Sequence, residues 1–331
     1  MKRGLSFVAG SLLACCSFAA TPYDGVWCLK TPSGGAGWLK VDTEKTPTEV
    51  LLMWEIGGVE PCRNIQMTES SLFFEFPKDR WFMTAKGMRR VNEGTFRFSM
   101  FKDCECGMLI GLGGVLKDGT VLRDQTLTYT RGKPMPPAPD LRQVKFGEPI
   151  QLFNGKDLEG WCLTNPKDVS AWSVKEGLLT NDPKLEEGDH PAQFGNLRTV
   201  REFEDFRLKL EFRLPERGNS GVYLRGRYEV QTTATYGAKP SMGMIGAIYS
   251  RLVPTVNASK PAGEWQTYEI TLVDRHVTVI LNGVTVQDNQ PVEGCTGGAL
   301  DADDTKPGPI YFQGDHTKVE YRNIQLQPRI R

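Results

Sequence analysis

The stretch from Phe206 to Leu214 places a large apolar side chain at every second position, with charged residues between them. Because side chains alternate between the two faces of a β-strand, this pattern predicts a strand with one buried and one solvated face. Such a strand needs neighbouring strands and a second apolar layer over its buried face. The pattern therefore favours a layered β structure.

Short strand-like segments separated by turn residues fill the chain from Ile150 onward, and no long helical period interrupts them. Asn282-Gly283 lies between two such segments and is a strong signal for a two-residue hairpin turn. About a dozen strands in roughly 180 residues predict two stacked antiparallel sheets. The predicted fold class is therefore all-β, with a C-terminal sandwich over residues 150–331.

Residues 22–132 also have short strand signals, at about ten-residue spacing, which predict a small β-barrel or sandwich. The Pro-rich residues 133–149 predict a semi-rigid linker. No cluster of acidic, histidine or nucleophilic residues stands out in 22–132, so its role stays open, with docking of a partner as one alternative.

Residues 1–20 combine a basic start, an apolar centre and a small-residue end, a pattern typical of a signal peptide. We therefore expect an exported protein, periplasmic or secreted. Leu12-Leu13-Ala14-Cys15 resembles a lipoprotein box, so a lipid anchor on Cys15 is the alternative. No later stretch has the roughly 20 apolar residues of a membrane helix. Lys plus Arg and Asp plus Glu are both 40, which argues against nucleic acid as a partner.

Six cysteines follow the predicted signal peptide, and in an exported protein the expectation for them is disulfide bonds. The sequence does not determine their pairing. Zinc held by the Cys-Glu-Cys segment and two distant cysteines is the alternative. The six are Cys28, Cys62, Cys104, Cys106, Cys162 and Cys295.

The stretch from Gly218 to Gln231 concentrates the polar groups that suit a ligand. It predicts two short strands that carry a carboxylate, two amides and a guanidinium onto one wall of a pocket. Such groups fit a hydroxyl-rich ligand. The alternative is a solvated sheet face with a surface ion pair. The four side chains are Asn219, Arg225, Glu229 and Gln231.

Several motifs resemble, in chain order, a known family. They are Phe153-Asn154-Gly155-Lys156-Asp157-Leu158, Gly218-Asn219-Ser220-Gly221-Val222, Glu229-Val230-Gln231, Gly246-Ala247-Ile248-Tyr249, Lys260-Pro261, Gly263-Glu264-Trp265, Leu281-Asn282-Gly283, Gly308-Pro309-Ile310, Gln313, His316 and Arg322-Asn323-Ile324. Residues 147–328 resemble the bacterial 3-keto-disaccharide hydrolase domain, formerly a domain of unknown function. The resemblance implies a concanavalin-like jelly-roll sandwich that acts on glycosides whose sugar carries a ketone at carbon 3. Thr317 and Phe312 depart from the family pattern without removing a reactive group.

That chemistry needs a base for the acidified hydrogen on carbon 2, an acid for the leaving oxygen and a group that stabilises the enolate. With the resemblance, Glu229 and His316 are the predicted catalytic pair. A divalent metal bound by the same two residues is the alternative source of enolate stabilisation. The predicted substrate-binding residues are Asn219, Arg225, Gln231, Tyr249, Lys260, Trp265 and Gln313.

The alternative to an enzyme is a non-catalytic, lectin-like carbohydrate-binding module, because sandwich folds serve both classes. A carboxylate beside an imidazole favours the enzyme. His190 lies in a polar loop and is expected to be an exposed loop residue, with a lid over the site as the alternative. His276 is expected to be structural. Asp301, Asp303 and Asp304 are either a calcium-binding loop or a solvated one. Both the enzyme and the lectin-like module make a sugar the expected partner.

Overall fold

The computed structural model describes residues 21–84, 87–103, 107–184 and 194–330. In these ranges the chain is all-β, with 24 strands and no helix, as the sequence predicts. No helix in the described part of the chain is long and apolar enough to cross a membrane. The predicted signal peptide, residues 104–106 and His190 lie outside the described residues.

The first ten strands form two five-stranded antiparallel sheets, in the orders β10-β1-β2-β3-β4 and β5-β6-β7-β8-β9. Their apolar side chains, among them Trp27, Leu39, Phe74 and Phe98, share one core. The longest pair, β6 and β7, forms a hairpin. The strands are β1 Gly25–Lys30, β2 Ala36–Asp42, β3 Glu49–Trp54, β4 Glu60–Pro61, β5 Arg63–Met67, β6 Ser71–Thr84, β7 Gly87–Asp103, β8 Gly107–Leu116, β9 Val121–Thr126 and β10 Thr128–Arg131.

The other fourteen strands form a nine-stranded and a five-stranded antiparallel sheet. The first has the order β14-β15-β24-β17-β20-β21-β22, with β11 and β12 also on β24; the second has the order β13-β16-β23-β18-β19. The strands are β11 Lys145–Phe146, β12 Ile150–Gln151, β13 Trp161–Leu163, β14 Trp172–Lys175, β15 Leu178–Asn181, β16 Leu197–Phe203, β17 Phe206–Arg213, β18 Asn219–Leu224, β19 Tyr228–Thr233, β20 Gln266–Val273, β21 His276–Leu281, β22 Val284–Pro291, β23 Gly308–Phe312 and β24 Val319–Ile330.

Neither sheet pair contains strands from both sides of the Pro-rich stretch. Strand β11 lies inside the predicted linker 133–149 and pairs with the end of β24. That end of the stretch therefore belongs to a sheet rather than to a free spacer. The domain boundaries themselves stay predictions.

The alternating run found in the sequence is strand β17, and its apolar side chains are buried. They pack in one core with Val222 and Leu224 of β18 and Val230 of β19. Burying a side chain of this size contributes about 1.5–3 kcal/mol. Because side chains alternate, the residues between the core-facing ones on β18 and β19 lie on the outer face of the five-stranded sheet.

The two halves of the chain meet along an apolar seam. Cys28, Trp38 and Met53 of the N-terminal sheets share a cluster with Cys295 and Ala299, which lie between β22 and β23. The contacts that cross the seam include the following three. The backbone N–H of Gly298 donates to the carbonyl of Glu55 at 2.7 Å, that of Val59 donates to Ser250 Oγ at 2.8 Å, and the Arg251 guanidinium lies 4.1 Å from the Trp38 ring centre.

The four described cysteines are free thiols, so the expectation of disulfide bonds is wrong for them. Cys62 lies in the N-terminal core and Cys162 is exposed on β13. Cys28 and Cys295 face the same seam. Burial raises the pKa of both seam thiols to about 12, so they stay protonated and unreactive at neutral pH.

Candidate active site

The hairpin of β18 and β19 supplies the floor of the site. Its register pairs Tyr223 with Glu229 and Gly221 with Gln231. Gly221 is required there because a Cβ atom on it would lie 2.3 Å from Glu229 Oε1. The missing side chain therefore leaves the space that the Glu229 carboxyl occupies.

Strand β23 lies beside β18 and adds the second half of the floor. Tyr223 and Tyr311 are register partners, and their rings stack with centres 3.9 Å apart. The backbone N–H of Gln313 donates to the carbonyl of Gly221 at 3.0 Å. This pairing positions the segment after β23, which contains Asp315 and His316, at the end of the floor.

The loop of residues 295–298 fixes both tyrosines and Glu229 from the side. The Tyr223 hydroxyl donates to the Gly297 carbonyl at 2.7 Å, and the Tyr311 hydroxyl donates to the Gly298 carbonyl. The backbone N–H of Glu229 donates to Thr296 Oγ1 at 3.0 Å. The same loop forms the seam with the N-terminal sheets, so the seam and the floor share one support.

These elements enclose a hollow of about 190 Å³. Pockets for drug-sized ligands are usually about 300–1,000 Å³, so this hollow suits one small ring. Four of its sixteen lining residues come from the N-terminal sheets. The lining residues are Ile56, Gly57, Trp81, Phe82, Asn196, Asn219, Tyr223, Glu229, Gln231, Tyr249, Gly297, Gly298, Tyr311, Gln313, Asp315 and His316.

Glu229 is a buried carboxyl whose surroundings favour the protonated form. Burial raises its pKa to about 8, although His316 and the Tyr223 hydroxyl act in the opposite direction. The Tyr223 oxygen lies 3.0 Å from Glu229 Oε2 and 2.7 Å from the Gly297 carbonyl. A hydroxyl has a single hydrogen, and a carbonyl only accepts. When that hydrogen goes to Gly297, a proton on Glu229 completes the contact with Tyr223.

The Gln231 amide completes the surroundings of this carboxyl. Its nitrogen is assigned to face Glu229 Oε1 at 3.0 Å and the Ser220 carbonyl at 3.2 Å, because both neighbours are acceptors. The amide thus orients Oε1 while Tyr223 orients Oε2. Glu229 is held in place at both oxygens.

His316 and Asp315 form a hydrogen-bonded pair, with Nδ1 of the imidazole 2.7 Å from Asp315 Oδ1. Burial by itself lowers the pKa of His316, but the charge and hydrogen bond of Asp315 outweigh it and raise that pKa above its usual value. The same bond fixes the tautomer and leaves Nε2 for a ligand. A positioned imidazole next to a protonated carboxyl can both accept and donate a proton.

Two amide oxygens in the hollow lack a protein partner among the described residues, Asn219 Oδ1 and Gln313 Oε1. A buried acceptor without a partner costs about 1–3 kcal/mol. Hydroxyl groups of a ligand would satisfy both atoms. The floor therefore has free hydrogen-bonding capacity beside its acid–base pair.

A family model described as the 3-keto-alpha-glucoside-1,2-lyase-like domain matches residues 148–327. This chain belongs to that family. The match covers both strands of the floor hairpin, strand β23 and the histidine segment, so these parts of the site lie in the lyase-like domain. The N-terminal sheets lie outside the match.

Two of the solved structures similar to this chain come from Parabacteroides distasonis. One "putative glycosyl hydrolase" is 30% identical, covering 60% of this chain and 93% of its own, with a TM-score of 0.45. Another is 26% identical, covering 54% and 98%, with a TM-score of 0.41. A carbohydrate-binding module from Bacillus subtilis is 12% identical, covering 51% and 95%, with a TM-score of 0.32. No curated protein matches the chain.

The structure brings most of the predicted site residues of the lyase-like domain into the one hollow. Glu229 and His316, the predicted catalytic pair, come from two distant segments, and both line the hollow. Their catalytic and binding roles stay predictions. The predicted residues that line the hollow are Asn219, Glu229, Gln231, Tyr249, Gln313 and His316.

Arg225 does not line the hollow, and its predicted place on the pocket wall is wrong. Strand β18 ends at Leu224, and Arg225 begins a three-residue turn with φ of 54°, which breaks the alternation. Its guanidinium donates to the carbonyl of Asp304. Arg225 therefore fixes a neighbouring loop of the lyase-like domain.

Lys260 and Trp265 also lie away from the hollow, against prediction. The Trp265 ring has the guanidinium groups of Arg213 and Arg322 at 4.9 and 3.9 Å from its centre. Lys260 Nζ donates to the Trp265 carbonyl at 3.0 Å. Both belong to the segment before β20, in the nine-stranded sheet, whereas the floor of the site belongs to the five-stranded sheet.

Sequence reasoning did not assign several residues of the hollow. Strand alternation places Tyr223 on the same face as Glu229, and it is the signal that would have found this tyrosine. Tyr311 follows from the same rule on β23. Trp81 and Phe82 had no such signal, because they reach the site only through the seam between the two halves.

The metal predictions have different outcomes. Among the described residues no group of three or more His, Cys, Asp and Glu side chains can hold a metal ion. The acidic loop, for which calcium binding was the alternative to a solvated loop, has each of its three carboxylates paired with a cation: Asp301 with Arg227 at 2.9 Å, Asp303 with Lys306 at 2.9 Å and Asp304 with Arg275 at 2.7 Å. A divalent metal on Glu229 and His316 stays a prediction.

Proposed function

We propose that this protein cleaves 3-keto-glycosides by removing the proton on carbon 2 and expelling the substituent on carbon 1. The observation that carries the proposal is the meeting of Glu229 and His316 in one small hollow lined by amides. Membership in the lyase-like family supports a carbohydrate-related function. The specificity for a 3-keto sugar is the finer part of the proposal.

In the first step the imidazole of His316, oriented by Asp315, takes the proton from carbon 2. The electron pair of that C–H bond moves toward the ketone and gives an enolate. Asn219 and Gln313 line the hollow, and their amide N–H groups would donate to the enolate oxygen. Among the described residues neither amide oxygen has a hydrogen-bond partner, so no contact through its oxygen fixes either amide in its present orientation.

In the second step the enolate electrons re-form the ketone and create a double bond between carbons 1 and 2. The bond from carbon 1 to the leaving oxygen breaks, and the Glu229 proton goes to that oxygen. Water then gives a proton to the Glu229 carboxylate and its hydroxide to carbon 1, while protonated His316 returns a proton to carbon 2, which gives net hydrolysis. Release of the unsaturated sugar before this addition gives a lyase outcome.

The direct test offers the purified protein a 3-keto-disaccharide and the same disaccharide without the ketone. We expect free sugar from the ketone alone, because only its carbon 2 hydrogen is acidic enough for removal. Cleavage of both would indicate ordinary glycoside hydrolysis. Binding of the disaccharides without cleavage would favour the lectin-like alternative, because the unpartnered amide oxygens of Asn219 and Gln313 would suit such a module equally well.

A separate experiment tests the metal. Turnover lost on chelation and restored by a divalent metal would support a metal ion on Glu229 and His316.

The pH dependence of kcat/KM follows from the two shifted groups. Glu229 donates only while protonated, so the rate falls as the pH rises through about 8. His316 accepts only while neutral, so the rate also falls as the pH drops below its raised pKa. We expect a bell-shaped profile whose two limbs belong to the coupled pair. A rate that keeps rising above pH 8 would show that Glu229 acts as a carboxylate.

A further inference from the structure

The N-terminal sheets contribute a patch that differs in chemistry from the floor, and we call it the roof. It consists of Ile56 and Gly57 after β3 and of Trp81 and Phe82 on β6. The floor carries a carboxyl, an imidazole, amides and tyrosine hydroxyls, whereas the roof presents aromatic and aliphatic side chains. The burial also differs: Glu229 and His316 are buried, Trp81 and Phe82 are half-buried and Ile56 is 49% exposed. The roof therefore lies toward the mouth of the hollow.

The roof is held in place by charged groups. Trp81 is the register partner of Arg90, whose guanidinium lies 4.9 Å from the centre of the indole ring. Arg90 in turn donates to both carboxylate oxygens of Glu60 at 2.9 and 3.1 Å. A Cβ atom on Gly57 would lie 3.3 Å from the indole nitrogen, so the glycine lets the ring lie against the backbone. Such an arrangement fixes the indole before any ligand arrives.

We propose that the roof binds the leaving group of the glycoside, and that this group carries a flat apolar face, as a second sugar ring or an aromatic ring does. The inference rests on the proposed function. The acid–base pair on the floor has to face carbons 1 and 2 of the keto sugar, and the hollow has room for one ring. Whatever is attached to carbon 1 must then extend toward the mouth, where Trp81 and Phe82 lie.

The test compares wild-type protein with Trp81→Ala on three 3-keto-glycosides that differ only in the leaving group: a sugar, phenol and methanol. Aromatic contacts are worth about 0.5–1.5 kcal/mol, so we expect kcat/KM to fall by about two- to thirteenfold for the sugar, the phenyl group or both. The methyl glycoside, which does not reach the roof, should react unchanged. A fall for one ring only identifies which leaving group the roof accepts. An equal change for all three, or no change, would overturn the inference.

Wild-type turnover of the methyl glycoside tests the proposed function separately from the roof, and its failure would remove the proposed function and the roof's role with it. Phe73→Ala is the matched control, since Phe73 is an aromatic residue on the same strand that does not line the hollow. It should leave all three rates unchanged. If Trp81→Ala lowers the melting temperature, Trp81→Phe repeats the comparison and is expected to restore activity, because it keeps an aromatic ring at the same position.

Discussion

Glu229→Gln and His316→Ala are each expected to lower kcat on a 3-keto-disaccharide by about 10²–10⁴-fold, the usual contribution of a positioned acid or base. Glutamine keeps the shape of the carboxyl but has no acidic proton to give to the leaving oxygen. Alanine removes the nitrogen that accepts the carbon 2 proton. Sugar binding should persist in both variants, because the amides of the floor are intact. A stopped assay measures turnover and calorimetry measures affinity, so the two measurements separate loss of catalysis from loss of binding.

Each substitution has a matched control elsewhere in the lyase-like domain. His276 is also buried, with Nδ1 2.9 Å from the Asp274 carbonyl, and it does not line the hollow. Glu269 pairs with Lys209 on the nine-stranded sheet. His276→Ala and Glu269→Gln should keep kcat within about threefold, a spread that corresponds to well under 1 kcal/mol. Undiminished turnover in both Glu229→Gln and His316→Ala would remove the catalytic assignment.

The second large effect is expected from Gly297→Ala. A Cβ atom there would lie 2.2 Å from the carbonyl oxygen and 2.7 Å from the nitrogen of Gly57, and neither backbone atom can move like a flexible side chain. The seam must open or the loop of residues 295–298 must shift. Overpacking of this kind costs about 1–3 kcal/mol, which lowers the melting temperature by several degrees in a chain of this size. Turnover should fall as well, since the Gly297 carbonyl holds the Tyr223 hydroxyl.

Gly243→Ala is the comparison for this prediction, because a Cβ atom at Gly243 meets nothing within 4 Å. Both variants add the same methyl group, so a difference between them reports the local space. Thermal unfolding and kcat on one substrate are measured for each. A Gly297→Ala protein as stable and as active as Gly243→Ala would show that the seam does not support the site.

Part of the lining of the hollow follows from strand alternation. Glu229 and Gln231 are two residues apart on β19, so one face of the sheet had to carry both. The prediction for Arg225 was wrong under the same rule, because strand β18 has already ended at Leu224. Only the left-handed turn that follows Leu224 shows where the strand ends. A one-residue error in a strand end moves a side chain from one wall to another.

The residues that sequence could not place depend on contacts between distant segments. The family resemblance brought Glu229 and His316 together, because neither position has a local signal for the other. The roof residues lie outside the stretch that resembles the family. Trp81 and Gly57 reach the hollow through the seam made by Trp38 and Cys295. No periodicity in the N-terminal strands indicates what they pack against.

The position of β24 has a consequence for how the molecule is made. This strand is the final one in the sequence, yet it lies inside the nine-stranded sheet between β15 and β17, and Phe206 pairs with Pro328. The larger sheet therefore cannot close until residues 319–330 have left the ribosome, and pairings so distant in sequence form slowly. The N-terminal sheets need only strands synthesised before residue 132, so they can fold first and offer a finished surface to the emerging sandwich.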